Sequence, residues 1–221
     1  MFGYYTVVAI SLILGFGASA LVKGRLSKYS KIGISTGLTG REAALRMLSD
    51  SGVTNVTVNC GSEGEDHFDP RTNSISLSPS NYNVASITAT ATACHEAGHA
   101  LQYAQNYRPL FLRASLVPAV NLCSNAWIIV FMIGVFMQVA GLTLIACLIY
   151  AVVVLFQLVT LPVEFNASRR ALNYMKTFGV QGSELAASKK VLSACALTYV
   201  VAALASAIQL LWLIGSSSNN R

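Results

Sequence analysis

The sequence predicts an α-helical integral membrane protein with four transmembrane helices and a small α+β portion on one side of the membrane. Three observations predict it. Hydrophobic residues make up 54% of the 221-residue chain and charged residues only 11%, a balance unlike that of soluble domains. Four apolar stretches each reach the roughly 20 residues needed to cross a bilayer. All but Arg221 of the 15 lysines and arginines fall in segments 23–116 and 163–190, which four spans would place on one side.

Residues 1–22 are the first span, since Phe2 to Val22 carries no charge. Ala18-Ser19-Ala20 resembles a signal-peptidase site, but Lys23, Arg25 and Lys28 follow the apolar core instead of preceding it. That polarity is the reverse of a secretory signal, so the span reads as a retained anchor. Lys23 to Gly37 reads as a juxtamembrane segment along the anionic inner leaflet. Thr39-Gly40-Arg41-Glu42 then offers a capping box, Ala43, Ala44, Leu45 and Leu48 an apolar face, and Gly52 a stop. This short amphipathic helix needs a partner, and the helix expected at 87–105 is the candidate.

Val53 to Cys60 and Ser74 to Ser78 carry the β-branched and alternating patterns of two strands, separated by an acidic loop and an Asp69-Pro70-Arg71 turn. Ser78-Pro79 signals a helix start. Ile87 to Gln105 reads as one alanine-rich helix. Gly98 within it costs about 1 kcal/mol relative to alanine, so something approaches the backbone there, for packing or for a site.

Residues 117–162 are uncharged and long enough for a hairpin of two spans, reversing near Ala140-Gly141. Pro162 ends the third span, and Glu164 opens a helix running to about Phe178, with Gly179 as its stop. Ser183 and Glu184 start a last helix that becomes the fourth span, 191–215, leaving 216–221 as a tail. The charge distribution puts both termini outside and segments 23–116 and 163–190 in the cytoplasm. Topology thus explains the net charge of +6. No basic cluster is interleaved with aromatics, so no nucleic-acid partner is expected.

The chemistry lies in Cys94-His95-Glu96-Ala97-Gly98-His99, which holds two of the three histidines. Four residues apart on a helix, His95 and His99 share one face and can hold Zn²⁺, with Glu96 beside them as general base. Catalytic zinc takes three protein ligands and keeps a position for water. Glu164 is the leading third ligand, because a carboxylate at the membrane edge is costly unless paired or functional. His67 is the next candidate, and the plainer reading of Glu164 is an ion pair with Arg169 or Arg170. The five cysteines show no disulfide framework. Cys94 points about 100° away from His95 around the helix, so it is not expected to share the ion.

His95-Glu96-Ala97-Gly98-His99-Ala100-Leu101-Gln102, Asp69-Pro70-Arg71, Leu77-Ser78-Pro79 and Leu161-Pro162-Val163-Glu164-Phe165-Asn166-Ala167-Ser168-Arg169-Arg170 resemble the bacterial membrane zinc metallopeptidases of the YugP type. These in turn resemble membrane gluzincins such as the heat-shock protease of bacterial inner membranes and the CAAX prenyl protease. The resemblance implies a zincin-like cytoplasmic portion, His95, His99 and Glu164 as zinc ligands and Glu96 as base. It implies an endopeptidase of the bacterial cell membrane that uses zinc-activated water to hydrolyse membrane or membrane-associated proteins at the cytoplasmic face. Its partners would be a protein or peptide substrate and the lipid bilayer. Zincins hold substrate as an extended strand, for which Ser74 to Ser78 is the expected platform, and Tyr82, Arg169 and Arg170 are candidate oxyanion donors. One position departs from the gluzincin pattern: Ser168 stands four after Glu164, where those enzymes carry an aspartate that orients a ligating histidine. Asn166 is the other residue that could supply that contact. The alternative function, motivated by Ser168 and the small cytoplasmic portion, is a non-proteolytic scaffold or regulator with a vestigial zinc site.

Overall fold

The computed structural model describes residues 3–219. Met1, Phe2, Asn220 and Arg221, parts of the expected first span and tail, lie outside them. The chain order is α1 (Tyr4–Tyr29), α2 (Gly40–Asp50), β1 (Thr57–Cys60), β2 (His67–Asp69), β3 (Ser74–Leu77), α3 (Pro79–Tyr82), α4 (Ile87–Ala104), α5 (Arg108–Phe136), α6 (Ala140–Thr177) and α7 (Gly182–Asn219). The protein is mostly helical with one small sheet, and α1, α5, α6 and α7 are long and apolar enough to cross a membrane.

Several boundaries differ from expectation. α1 runs past the charged Lys23 and Arg25 to Tyr29 instead of ending at residue 22. There Tyr29 is buried and Leu26 packs on the same core, so tertiary contacts carry the helix on. α6 passes through Pro162 without a break. Proline removes one backbone donor and crowds the preceding turn, but leaving the helix in an apolar stretch would strand more backbone groups away from water. The hairpin reverses at Met137–Val139, with Gln138 left-handed at φ 56°, just ahead of the expected Ala140-Gly141. α7 continues to Asn219, so most of the expected tail is helical.

The chain divides into two compact units. One contains 3–18, Phe111–Pro162 and 198–219, the other Ser19–Leu110 and Val163–Leu197. The first has its own apolar cluster, with Trp127 against Tyr150 at 4.7 Å between ring centroids and Val154 and Leu213 buried beside them.

The second unit holds every residue of the metal-site motif. α2 begins with the expected capping box: Thr39 accepts from the Glu42 backbone while the Glu42 carboxylate accepts from the Thr39 backbone at 2.8 Å. Gly52, left-handed at φ 76°, follows its end. The apolar face of α2 (Ala43, Ala44, Met47 and Leu48) is buried in a common core with Ala93, Ala97 and Leu101 of α4. Burying Met47 and Leu48 contributes roughly 1.5–3 kcal/mol each. α6 closes over the same core with Ala171 and Met175, and the Tyr174 hydroxyl donates to Asp50 Oδ2 at 2.8 Å. Glu184 at the start of α7 has a further role beyond its helix: its carboxylate accepts from the Ser35 hydroxyl at 2.6 Å and from the Ser35 backbone N–H.

The sheet order is β1-β3-β2, with β1 parallel and β2 antiparallel to β3. β2 lies in the segment expected to be loop. More consequentially, β3 is the central strand: Ser74 to Leu77 pairs on one side with Thr57 to Cys60, and Ser74 to Ser76 pairs on the other with His67 to Asp69. Its backbone groups are committed on both sides, so Ser74 to Leu77 cannot receive an added strand, and the expected platform at Ser74 to Ser78 is not available for one.

Candidate metal centre

α4 supplies the histidine pair. Ser86 caps it, accepting from the Ala89 backbone N–H at 3.1 Å, and its small side chains let it sit buried on nearly every face. This places His95 and His99 one turn apart with ring centroids 4.7 Å from each other. α6 supplies Glu164, only 2% exposed, from just beyond Pro162.

The approach of α6 to α4 is set by Gly98. A Cβ added at that position would stand 2.8 Å from the Ala167 carbonyl oxygen and 3.2 Å from its Cα. Ala167 is one turn from Glu164, so the close backbone crossing also delivers the carboxylate. Packing and site requirements at Gly98 are therefore the same requirement.

Ligand atoms of His95, His99 and Glu164 all lie within 4.8 Å of one another, a group able to hold a metal ion. Glu164 Oε2 is 3.3 Å from His95 Nε2 and 3.6 Å from His99 Nε2. Both separations exceed the about 2.9–3.0 Å typical of N–H···O hydrogen bonds. They fit two donors of one tetrahedral ion, which at bond lengths of about 2.0–2.1 Å stand roughly 3.3 Å apart. Two imidazoles and a carboxylate are also a donor set suited to zinc. The residues present therefore fit the ion.

Electrostatics point the same way. Burial works against a charged His99 ring, but the adjoining Glu164 carboxylate and the charge of Glu96 outweigh it, with Gln102 adding to them, and hold its pKa above the ordinary histidine value. The pocket thus favours positive charge. Glu96, 8% exposed, belongs to the buried lining of α4 beside the pair.

Each histidine has a partner at its other ring nitrogen. His95 Nδ1 is 3.2 Å from the Ser168 hydroxyl, so serine does occupy the orienting position. His99 Nδ1 is 3.0 Å from Gln102 Oε1. Asn166 contacts neither ring; its Oδ1 accepts from Gln102 Nε2 at 3.0 Å and Arg170 Nε at 2.8 Å. Sequence reasoning did not single out Gln102, although its spacing of three from His99 places both on one helix face.

Other candidates fall away from the group. His67 is exposed on β2 and outside it. Arg170 is engaged with Asn166 and with Gln105 Oε1, at 2.6 Å from the latter. Cys94 faces the core, where burial pushes its thiol up to about 12, and it lies outside the ligand group. The cysteines among the described residues are free.

Comparison with known proteins supplies the remaining evidence. Residues 4–218 match the family described as "Putative neutral zinc metallopeptidase". The chain is 39% identical over 223 residues to "Putative membrane protease YugP" of Bacillus subtilis (strain 168), covering 100% of this chain and 98% of that protein. No solved structure matches significantly. The match over nearly the whole chain and the two histidines and buried glutamate converging on one point have a single reading: this is a membrane protein belonging to the neutral zinc metallopeptidase family.

Proposed function

We propose that the protein is a gluzincin-like endopeptidase of the bacterial cell membrane that cleaves membrane or membrane-associated proteins at the cytoplasmic face. The observation that carries this reading is the convergence of His95, His99 and Glu164, with Glu96 on the adjoining helix position. In it, the two Nε2 atoms and the Glu164 carboxylate would hold zinc, which would supply a Lewis acid able to make water reactive near neutral pH and to polarise the scissile carbonyl.

Glu96 takes the water proton as the peptide carbon is attacked and passes it to the departing amine, a single carboxylate acting first as base and then as acid. Its buried setting limits exchange of that proton with bulk water. Ser168 and Gln102 steady the two rings. Substrate in extended form would add to a sheet edge, and β2 is the candidate edge, because its Phe68 lies 5.9 Å, centroid to centroid, from Tyr103 of α4. The zincin-like portion, comprising 23–116 and 163–190, would face the cytoplasm, with both termini outside, as the distribution of Lys and Arg favours.

The test is Glu96→Gln in the purified full-length chain. The variant is expected to retain one zinc per chain and to lose cleavage of an unfolded or membrane-embedded test protein by at least about 100-fold, as expected for loss of general base catalysis. Cleavage at the wild-type rate would refute the mechanism. Ser168, a neutral partner at His95, favours the second reading, a scaffold with a vestigial zinc site. Zinc binding without turnover by the wild type, with a stable partner recovered from wild type and Glu96→Gln alike, would identify it.

A further inference from the structure

The hydrogen bonds behind His99 admit only one assignment. Arg170 can only donate, so the Asn166 atom 2.8 Å from its Nε is the oxygen Oδ1. That oxygen also faces the Gln102 amide at 3.0 Å, and the same end of the amide faces the Val163 carbonyl oxygen at 2.8 Å. Two oxygen acceptors require the Gln102 nitrogen, and its two N–H groups supply one bond to each. The Gln102 oxygen is then the atom left facing His99 Nδ1 at 3.0 Å. Gln102 is 0% exposed, so water cannot satisfy a reversed amide, which would set oxygen against two oxygens.

We propose that Gln102 is a positioning residue that holds the His99 imidazole as its Nδ1–H form, leaving the Nε2 lone pair for the ion it would share with Glu164, and that Arg170 dictates this through Asn166. The inference rests on the reading of His99 as a zinc ligand and extends it to residues outside the motif. It also separates the two histidines. Ser168 at His95 is a hydroxyl that can donate or accept, so it steadies that ring without choosing its tautomer. The amide relay behind His99 is anchored on a permanent cation and does choose. Arg170 further donates to Gln105 at the C-terminal end of α4, tying the relay to both helices.

The experiment uses the full-length chain in lipid nanodiscs, labelled with ¹⁵N-histidine, with the rings assigned from His67→Gln and His95→Gln variants. In the metal-free protein at alkaline pH, where the rings are neutral, nitrogen shifts read the tautomer directly. Zinc competition against a chelator gives a second readout. Wild type is expected to show His99 only as the Nδ1–H form. Gln102→Leu is expected to show both forms and to bind zinc about 10–100-fold more weakly, the usual effect of losing a ligand's outer partner. Asn166→Asp, which keeps an oxygen toward Gln102 and Arg170, should behave as wild type, and Asn166→Leu should behave as Gln102→Leu. Should Gln102→Leu fail to fold, the two Asn166 variants decide. An Nε2–H or mixed His99 in wild type overturns the relay, as do Asn166→Leu nitrogen shifts and zinc affinity equal to wild type. Because the tautomer is read without metal, absence of zinc binding by wild type would sink the peptidase reading and leave the relay standing.

Discussion

Glu164 is the residue that joins the two histidines into one site. Its carboxylate is buried and stands 3.3 Å from His95 Nε2 and 3.6 Å from His99 Nε2, the place of a third donor to a single ion. Glu164→Gln is therefore expected to weaken zinc binding by more than about 100-fold, beyond the usual effect of an outer partner, in a chelator competition; near-wild-type affinity would remove Glu164 from the ligand set. At this scale the sequence was informative wherever chemistry is carried by local spacing. His95, Glu96 and His99 declare themselves within one helical turn, and Glu164 stands out as an acidic residue at the edge of an apolar run. Gln102 did not, because its role depends on the Val163 carbonyl and Asn166 of another helix. A glutamine on a buried helix has no single reading until those partners are known.

Between elements, the crossing of α4 and α6 governs the site. Gly98→Ala would place a methyl 2.8 Å from the Ala167 carbonyl oxygen, backbone that can move only by displacing α6 and Glu164 with it. The expected result is folded protein with zinc affinity lowered at least about tenfold, comparable to disturbing a ligand's orientation. Unchanged affinity would show that the crossing does not set the carboxylate. Leu48→Ala, in the core that α2 shares with α4 and outside the ligand group, should lower unfolding stability by about 2–5 kcal/mol while leaving zinc content intact, as read by denaturant titration and metal analysis. The sequence revealed α2 and α4 because caps and helical periodicity are local signals. It did not reveal β2, three residues without alternation that are strand only because β3 pairs with them. It also misread Pro162 as a stop, since a proline's effect depends on whether water or apolar surroundings await the chain.

For the whole molecule, long uncharged runs made the four candidate spans legible, and their number agrees with the structure. Their ends were less legible, because α1, α6 and α7 each extend into polar sequence where tertiary packing takes over from hydropathy. The charge distribution predicts a cytoplasmic site, and a fluorescent reporter fused after Gly37 should light up inside the cell; an external reporter would put the site on the opposite face. The most direct test of a zinc centre built from His95, His99 and Glu164 is zinc K-edge X-ray absorption on the purified full-length chain. The expected spectrum has only nitrogen and oxygen neighbours at about 2.0–2.1 Å, with outer scattering from two imidazoles. A sulfur neighbour at about 2.3 Å, or a first shell with no imidazole signature, would contradict it.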